Sequence, residues 1–127
     1  MNTQRQPPGM YGSALDVEIW LDRGRTVGEL VGELDMYSAP RLREELLAVP
    51  APAAYRVALD LSRLEFIDSS GLGVLIAAVK RARAGGGALC LIAPPPQVAS
   101  MLRITGLDKV MPIVGGLDAA FAHLDAR

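Results

Sequence analysis

The residues that could do chemistry by type and spacing sit together in one short block, Phe66-Ile67-Asp68-Ser69-Ser70-Gly71-Leu72-Gly73. The block lies between a strand-like apolar run and a helical one, and ligand sites in open α/β sheets favour such junctions. Backbone N–H groups and the positive end of a helix dipole meet there, so a phosphate carried on a serine is tolerated or favoured. Gly71 and Gly73 add no side chains, which leaves room for another protein's active site to reach the Ser70 hydroxyl, and Ser69 reads as the helix N-cap. A plainer reading uses the same residues: two serines that only cap a helix and two glycines that only permit tight packing.

Other chemistries fail on the residues they require. No Gly-x-x-x-x-Gly-Lys-Ser/Thr phosphate loop occurs, and Gly71-x-Gly73 is followed by Ile76 where a dinucleotide fingerprint needs glycine or alanine. A hydrolase elbow needs Gly-x-Ser-x-Gly, whereas Ile67 and Asp68 stand two residues before the serines. His123, the single imidazole, lies beside Phe121 and Leu124 on a terminal helix, where a surface role is expected rather than that of a base. The single cysteine, Cys90, allows no internal disulfide, and with one histidine there is no Cys/His zinc cluster. We therefore expect no catalytic residue, no metal site and no cofactor, and a reducing compartment, the cytoplasm.

The elements that must position this block follow from composition and period. The chain has 127 residues, half of them apolar and 21% charged, with a net charge of −1, which suits one domain with a core of its own. The 13 basic and 14 acidic residues are spread along it, so nothing supports nucleic-acid binding. Its longest apolar run, Leu72 to Val79, falls well short of the roughly 20 residues that a membrane helix needs.

Residues 1–13 are polar and rich in Pro and Gly and read as a flexible lead-in to a single domain over 14–127. Leu15, Val17, Ile19 and Leu21 alternate with polar neighbours as a strand, Asp22-Arg23-Gly24 turns the chain, and Thr26 to Val31 give a second strand, interrupted by Gly28. Ser38 caps a short helix that Pro50 stops, and Val57 to Leu61 form a third strand, expected at the centre. A helix over Gly71 to Ala84 ends at three glycines and Ala88 to Ile92 read as a buried strand. Val98, Met101 and Leu102 mark a helix, Val110 to Val114 an edge strand with Pro112, and Leu117, Phe121 and Leu124 a last helix. The order predicts an α/β fold: a mixed sheet of about four to five strands with helices mainly on one side.

Gly32-Glu33-Leu34-Asp35, the Asp68-Ser69-Ser70-Gly71-Leu72-Gly73 block and Thr105-Gly106-Leu107 together resemble the STAS domain family, in particular its stand-alone bacterial anti-sigma factor antagonists. The resemblance spans about residues 14 to 125. It implies a partner switch in which Ser70 is phosphorylated by an anti-sigma factor that is also a serine kinase, and is dephosphorylated by a metal-dependent phosphatase. The unphosphorylated form would capture the kinase and free a sigma factor. Asp35 and Asp68 match acidic positions near the switch, and they are expected with Ser69, Gly71, Leu72 and Gly73 at the docking surface. Leu72 can alternatively be core, since a helix hides one stripe. Met36-Tyr37 differ from the polar residues usual after Asp35 in that family. A second STAS role, as a subunit of a membrane transport complex docking on its ATPase, needs no phosphorylation.

Overall fold

The computed structural model describes residues 14–126; the expected lead-in over 1–13 lies outside the described residues. Strands β1 (Leu15–Asp22) and β2 (Arg25–Leu34) pair antiparallel. Their two-residue turn places both Arg23 and Gly24 at positive φ, the twist that suits a tight hairpin. β2 runs on beyond the expected Val31, and Gly28 sits inside it because Leu59 of the next strand lies across it: a Cβ there would come 2.7 Å from the Leu59 Cδ2.

β3 (Arg56–Ile67) pairs parallel to β2 and to β4 (Ala88–Ile92), and β5 (Ile113–Val114) adds a parallel edge. The order β1-β2-β3-β4-β5 puts β3 at the centre, as expected. β4 has the predicted bounds. β5 is shorter than predicted because the N–H groups of Val110 and Met111 donate back to the Leu107 carbonyl, closing the 3-10 turn over Leu107–Lys109, and only the last two residues of the run reach the sheet.

β3 is more than twice the predicted length, and its second half does not alternate. Opposite Glu29 and Val31 of β2 stand Asp60 and Arg63, and opposite Gly32 and Glu33 stand Leu64 and Phe66, so β3 carries one extra residue at each step. Each bulge resets which face a side chain meets. The buried positions accordingly change from Val57, Leu59 and Leu61 to Leu64 and Ile67.

Helices α1 (Ala39–Leu47), α2 (Ser69–Ala84) and α3 (Pro96–Ile104) bury Leu42, Leu75 and Leu102 among their inward side chains, in one core with Leu30, Leu59 and Leu61 of the sheet. Among the described residues only α4 (Leu117–Asp125) covers the other face, laying Ala120 and Leu124 on Ala58, Cys90 and Ile92. α4 is fastened to the hairpin by Arg25, whose Nε donates to Asp125 Oδ1 at 3.1 Å and whose guanidinium lies 4.0 Å from the Phe121 ring centroid. That hydrogen bond holds the Asp125 carboxyl below its usual range. Under α4 the Cys90 thiol is buried, and desolvation pushes its pKa up to about 11. No helix among the described residues is long and apolar enough to cross a membrane.

Candidate functional site

β2 and β3 end side by side, with Leu34 paired to Ile67, and both chains turn into helices at that edge. The carboxyl ends of parallel strands therefore bring Asp35 and Asp68 into one neighbourhood. The Asp68 backbone N–H donates to the Leu34 carbonyl at 3.1 Å, continuing the ladder by one bond past the strand ends.

Asp68, not Ser69, caps α2. Its backbone is extended, and its Oδ1 accepts from the N–H of Ser70 at 2.9 Å and of Gly71 at 3.1 Å. Ser69 is the first helical residue instead, one position inside the expected cap, because the backbone is still extended at Asp68 and turns helical only after it. The other oxygen, Oδ2, accepts from the Met36 N–H across the junction at 3.1 Å. One side chain thus holds the β2–α1 turn and the start of α2 together.

This changes the electrostatics expected of the junction. Two donors that could have cradled a phosphate are already occupied by a carboxylate. A phosphate on Ser70 would meet that negative charge as well as the favourable end of the α2 dipole.

The hydroxyls of Ser69 and Ser70 are exposed and have no hydrogen-bond partner among the described residues. The two glycines differ. A Cβ at Gly71 would lie 2.6 Å from the Leu34 Cγ and 2.9 Å from the Leu34 carbonyl oxygen, so this position lets α2 close onto the end of β2. Gly73 is exposed, and a Cβ there would meet nothing within 4 Å, which leaves open space on the face beside the serines. Leu72, which the sequence left between core and docking surface, is buried in the main core and offers no side chain to a partner.

Asp35 lies on the other side of the junction. Its Oδ1 accepts from the N–H groups of Tyr37 and Ser38 at 2.9 and 3.1 Å, which shapes the turn into α1. Ser38 stands at the N-cap position as expected, yet its side chain makes no cap bond. It is buried and turns back, accepting from the Asp35 N–H and donating to the Glu33 carbonyl, both at 2.9 Å.

The sequence missed the apolar rim. Met36 and Tyr37 are 62% and 66% exposed beside Asp68, and Phe66 is 46% exposed at the end of β3. Phe66 was hidden by the second β3 bulge, which turns it outward between the buried Leu64 and Ile67. Exposed aromatic and methionine side chains around a small polar centre are the composition of a protein-binding surface. No group of His, Cys, Asp and Glu among the described residues is arranged to hold a metal ion.

Comparison with known proteins bears on the family and the fold. A family model described as "Mlab, STAS domain" matches residues 21–115. An anti-sigma F factor antagonist from Paenibacillus polymyxa is 34% identical over 112 residues, covering 87% of this chain and 96% of that protein. The crystal structure of an anti-sigma factor antagonist from Mycobacterium paratuberculosis superposes with a TM-score of 0.77 at 30% identity, covering 87% of this chain and 93% of that one. The Bacillus cell fate determinant SpoIIAA in its phosphorylated form shares the fold, with a TM-score of 0.63 at 24% identity over 86% of this chain and 98% of that one.

Proposed function

The chain belongs to the STAS domain family, and from that premise we propose that it is an anti-sigma factor antagonist switched at Ser70. In the unphosphorylated form it captures an anti-sigma factor that is also a serine kinase, and so frees a sigma factor. Phosphorylation of Ser70 turns capture off, and a metal-dependent phosphatase restores it. It acts as a binding protein in the cytoplasm, with no catalytic residue of its own.

The observation that carries this reading is the state of the Ser70 hydroxyl. It is exposed, unpartnered among the described residues and two residues from the carboxylate of Asp68. Phosphorylation adds a charge of about −1.5 to −2 and three acceptor oxygens. With Asp68 already bonded to the first N–H groups, the added charge is left facing the partner and repelled by its neighbour. Docking would then bury uncompensated charge, and every 1.4 kcal/mol so lost weakens binding about tenfold. Competition between two partners reverses without any refolding. Asp35, Asp68, Ser69 and Gly73 would form the polar centre of the docking face, with Met36, Tyr37 and Phe66 as its apolar contacts. Gly71 and Leu72 would act from beneath, by seating the helix.

The test uses Ser70→Ala and Ser70→Asp proteins as paired baits in lysate of the source organism, with bound proteins identified by mass spectrometry. The expected result is an ATP-binding kinase-like protein on the alanine bait alone, and phosphate transfer to Ser70 of the wild-type chain when that protein and ATP are added. Equal capture by both baits would sink the switch. Transporter components on both would support the other STAS role, docking on a transport ATPase, and leave Ser70 a surface residue.

A further inference from the structure

A second cleft, which shares no lining residue with the Ser70 junction, opens between α1 and α2 and reaches the sheet, with Val74 of its wall one helical turn beyond Ser70. It measures about 170 Å³, and Leu46, Val49, Val57, Val74 and Ala78 are among its walls. Three of these, Val57, Leu46 and Val74, keep 4%, 8% and 9% exposure, so the cleft opens core side chains to solvent. The one hydroxyl that lines it among the described residues, on Thr26, is satisfied by donating to the Ala53 carbonyl at 2.8 Å, which leaves the floor without a demand for water.

The charge at this cleft is of one sign. Among the described residues Arg43 and Arg81 line it, and no acidic residue does. Arg81 is engaged, donating from its two terminal nitrogens to the Leu46 and Val49 carbonyls at 2.9 and 3.2 Å, where it closes the end of α1. Arg43 has no hydrogen bond or ion pair among the described residues. An apolar hollow with a free guanidinium beside it matches a ligand with an apolar body and one anionic end. Its volume sets the size of that body, since an apolar cavity of about 150 Å³ takes up benzene.

We propose that this cleft binds a small amphipathic monoanion. The ligand is a carboxylate on a single aromatic ring or a chain of roughly six carbons, with the body between α1 and α2 and the carboxylate on Arg43. The site shares no residue with the Ser70 junction, so it stands or falls apart from the switch.

The test is an NMR titration of the full chain with benzoate and hexanoate, each compared with its neutral alcohol. We expect saturable shifts confined to Val57, Val74, Ala78 and their neighbours, with the alcohols binding about tenfold more weakly. Arg43→Glu, a change at an exposed position, should weaken the carboxylates about tenfold while leaving the melting temperature unchanged. Ala78→Leu should fill the hollow and abolish binding of both acid and alcohol; if it does not fold, Arg43→Glu carries the test alone. The proposal is overturned by the absence of saturable shifts up to about 50 mM, above the roughly 20 mM that even about 0.3 kcal/mol per non-hydrogen atom gives a ligand of about eight such atoms. Equal affinity for acid and alcohol, or an Arg43→Glu protein that binds as wild type does, would overturn it equally.

Discussion

Two neighbouring junctions in this fold start from the same ingredients and reach opposite states. β2 ends in Asp35 with Ser38 after it, and β3 ends beside Asp68 with Ser69 and Ser70 after it. At the first, the carboxylate bonds within its own turn, and the serine is buried between the Asp35 N–H and the Glu33 carbonyl. At the second, the carboxylate takes the helix N–H groups and the Met36 N–H, and the serines are left exposed with idle hydroxyls. What separates a structural serine from an available one is therefore how much of the local donor set the aspartate before it has already satisfied. Composition does not distinguish them; the allocation of hydrogen bonds does.

The largest test of this comparison is Ser38→Ala. The substitution leaves the Glu33 carbonyl and the Asp35 N–H without their partner at a fully buried position, a loss of about 1–3 kcal/mol of folding stability. Urea unfolding should show a lower midpoint with an unchanged slope. A Ser38→Ala protein as stable as wild type would mean that the turn finds other partners and that the two junctions do not differ as described.

Next in size is Asp68. Asp68→Ala removes the only side-chain cap of α2 and the bond to Met36, and should cost about 1 kcal/mol, within the range known for N-cap deletions. Asp68→Asn sharpens the point. An amide can still accept from the Ser70 and Gly71 N–H groups, but its NH2 would face the Met36 N–H, donor against donor. Its cost should fall between wild type and alanine, and amide exchange at Met36 should speed up more than at Gly71. Equal exchange at both would show that the carboxylate does not bridge the junction.

Much of this arrangement is visible in the sequence, and the rest is hidden for identifiable reasons. The Asp68-Ser69-Ser70-Gly71 block at a strand-to-helix junction, the central place of β3 and the bounds of β4 can all be read from period and spacing. The second half of β3 cannot, because its two bulges replace alternation with Leu61, Leu64 and Ile67, a spacing that belongs to no regular strand. For the same reason Phe66 could not be recognised as exposed. Ser69 and Asp68 are both good capping residues, and only the path of the backbone decides which one stands outside the helix. The burial of Ser38 depends on the Glu33 carbonyl, which its place before Pro40 does not reveal. The cleft is the furthest from view, since a gap between α1 and α2 belongs to their packing and not to either helix alone.

The smallest effect completes the comparison, because it is an expected silence. Ser70→Ala removes a hydroxyl that is exposed and bonded to nothing among the described residues, from a position where alanine is the better helix former. Folding stability should change by less than about 0.5 kcal/mol, against the larger loss at Ser38. Two serines four residues or fewer from an aspartate, each at the start of a helix, would then differ in cost in the order that their hydrogen bonds differ. If Ser70→Ala instead destabilises the protein as much as Ser38→Ala does, its hydroxyl is part of the helix cap. Phosphorylation there would then loosen α2 as well as charge its surface, and the switch would act through the fold rather than on a fixed face.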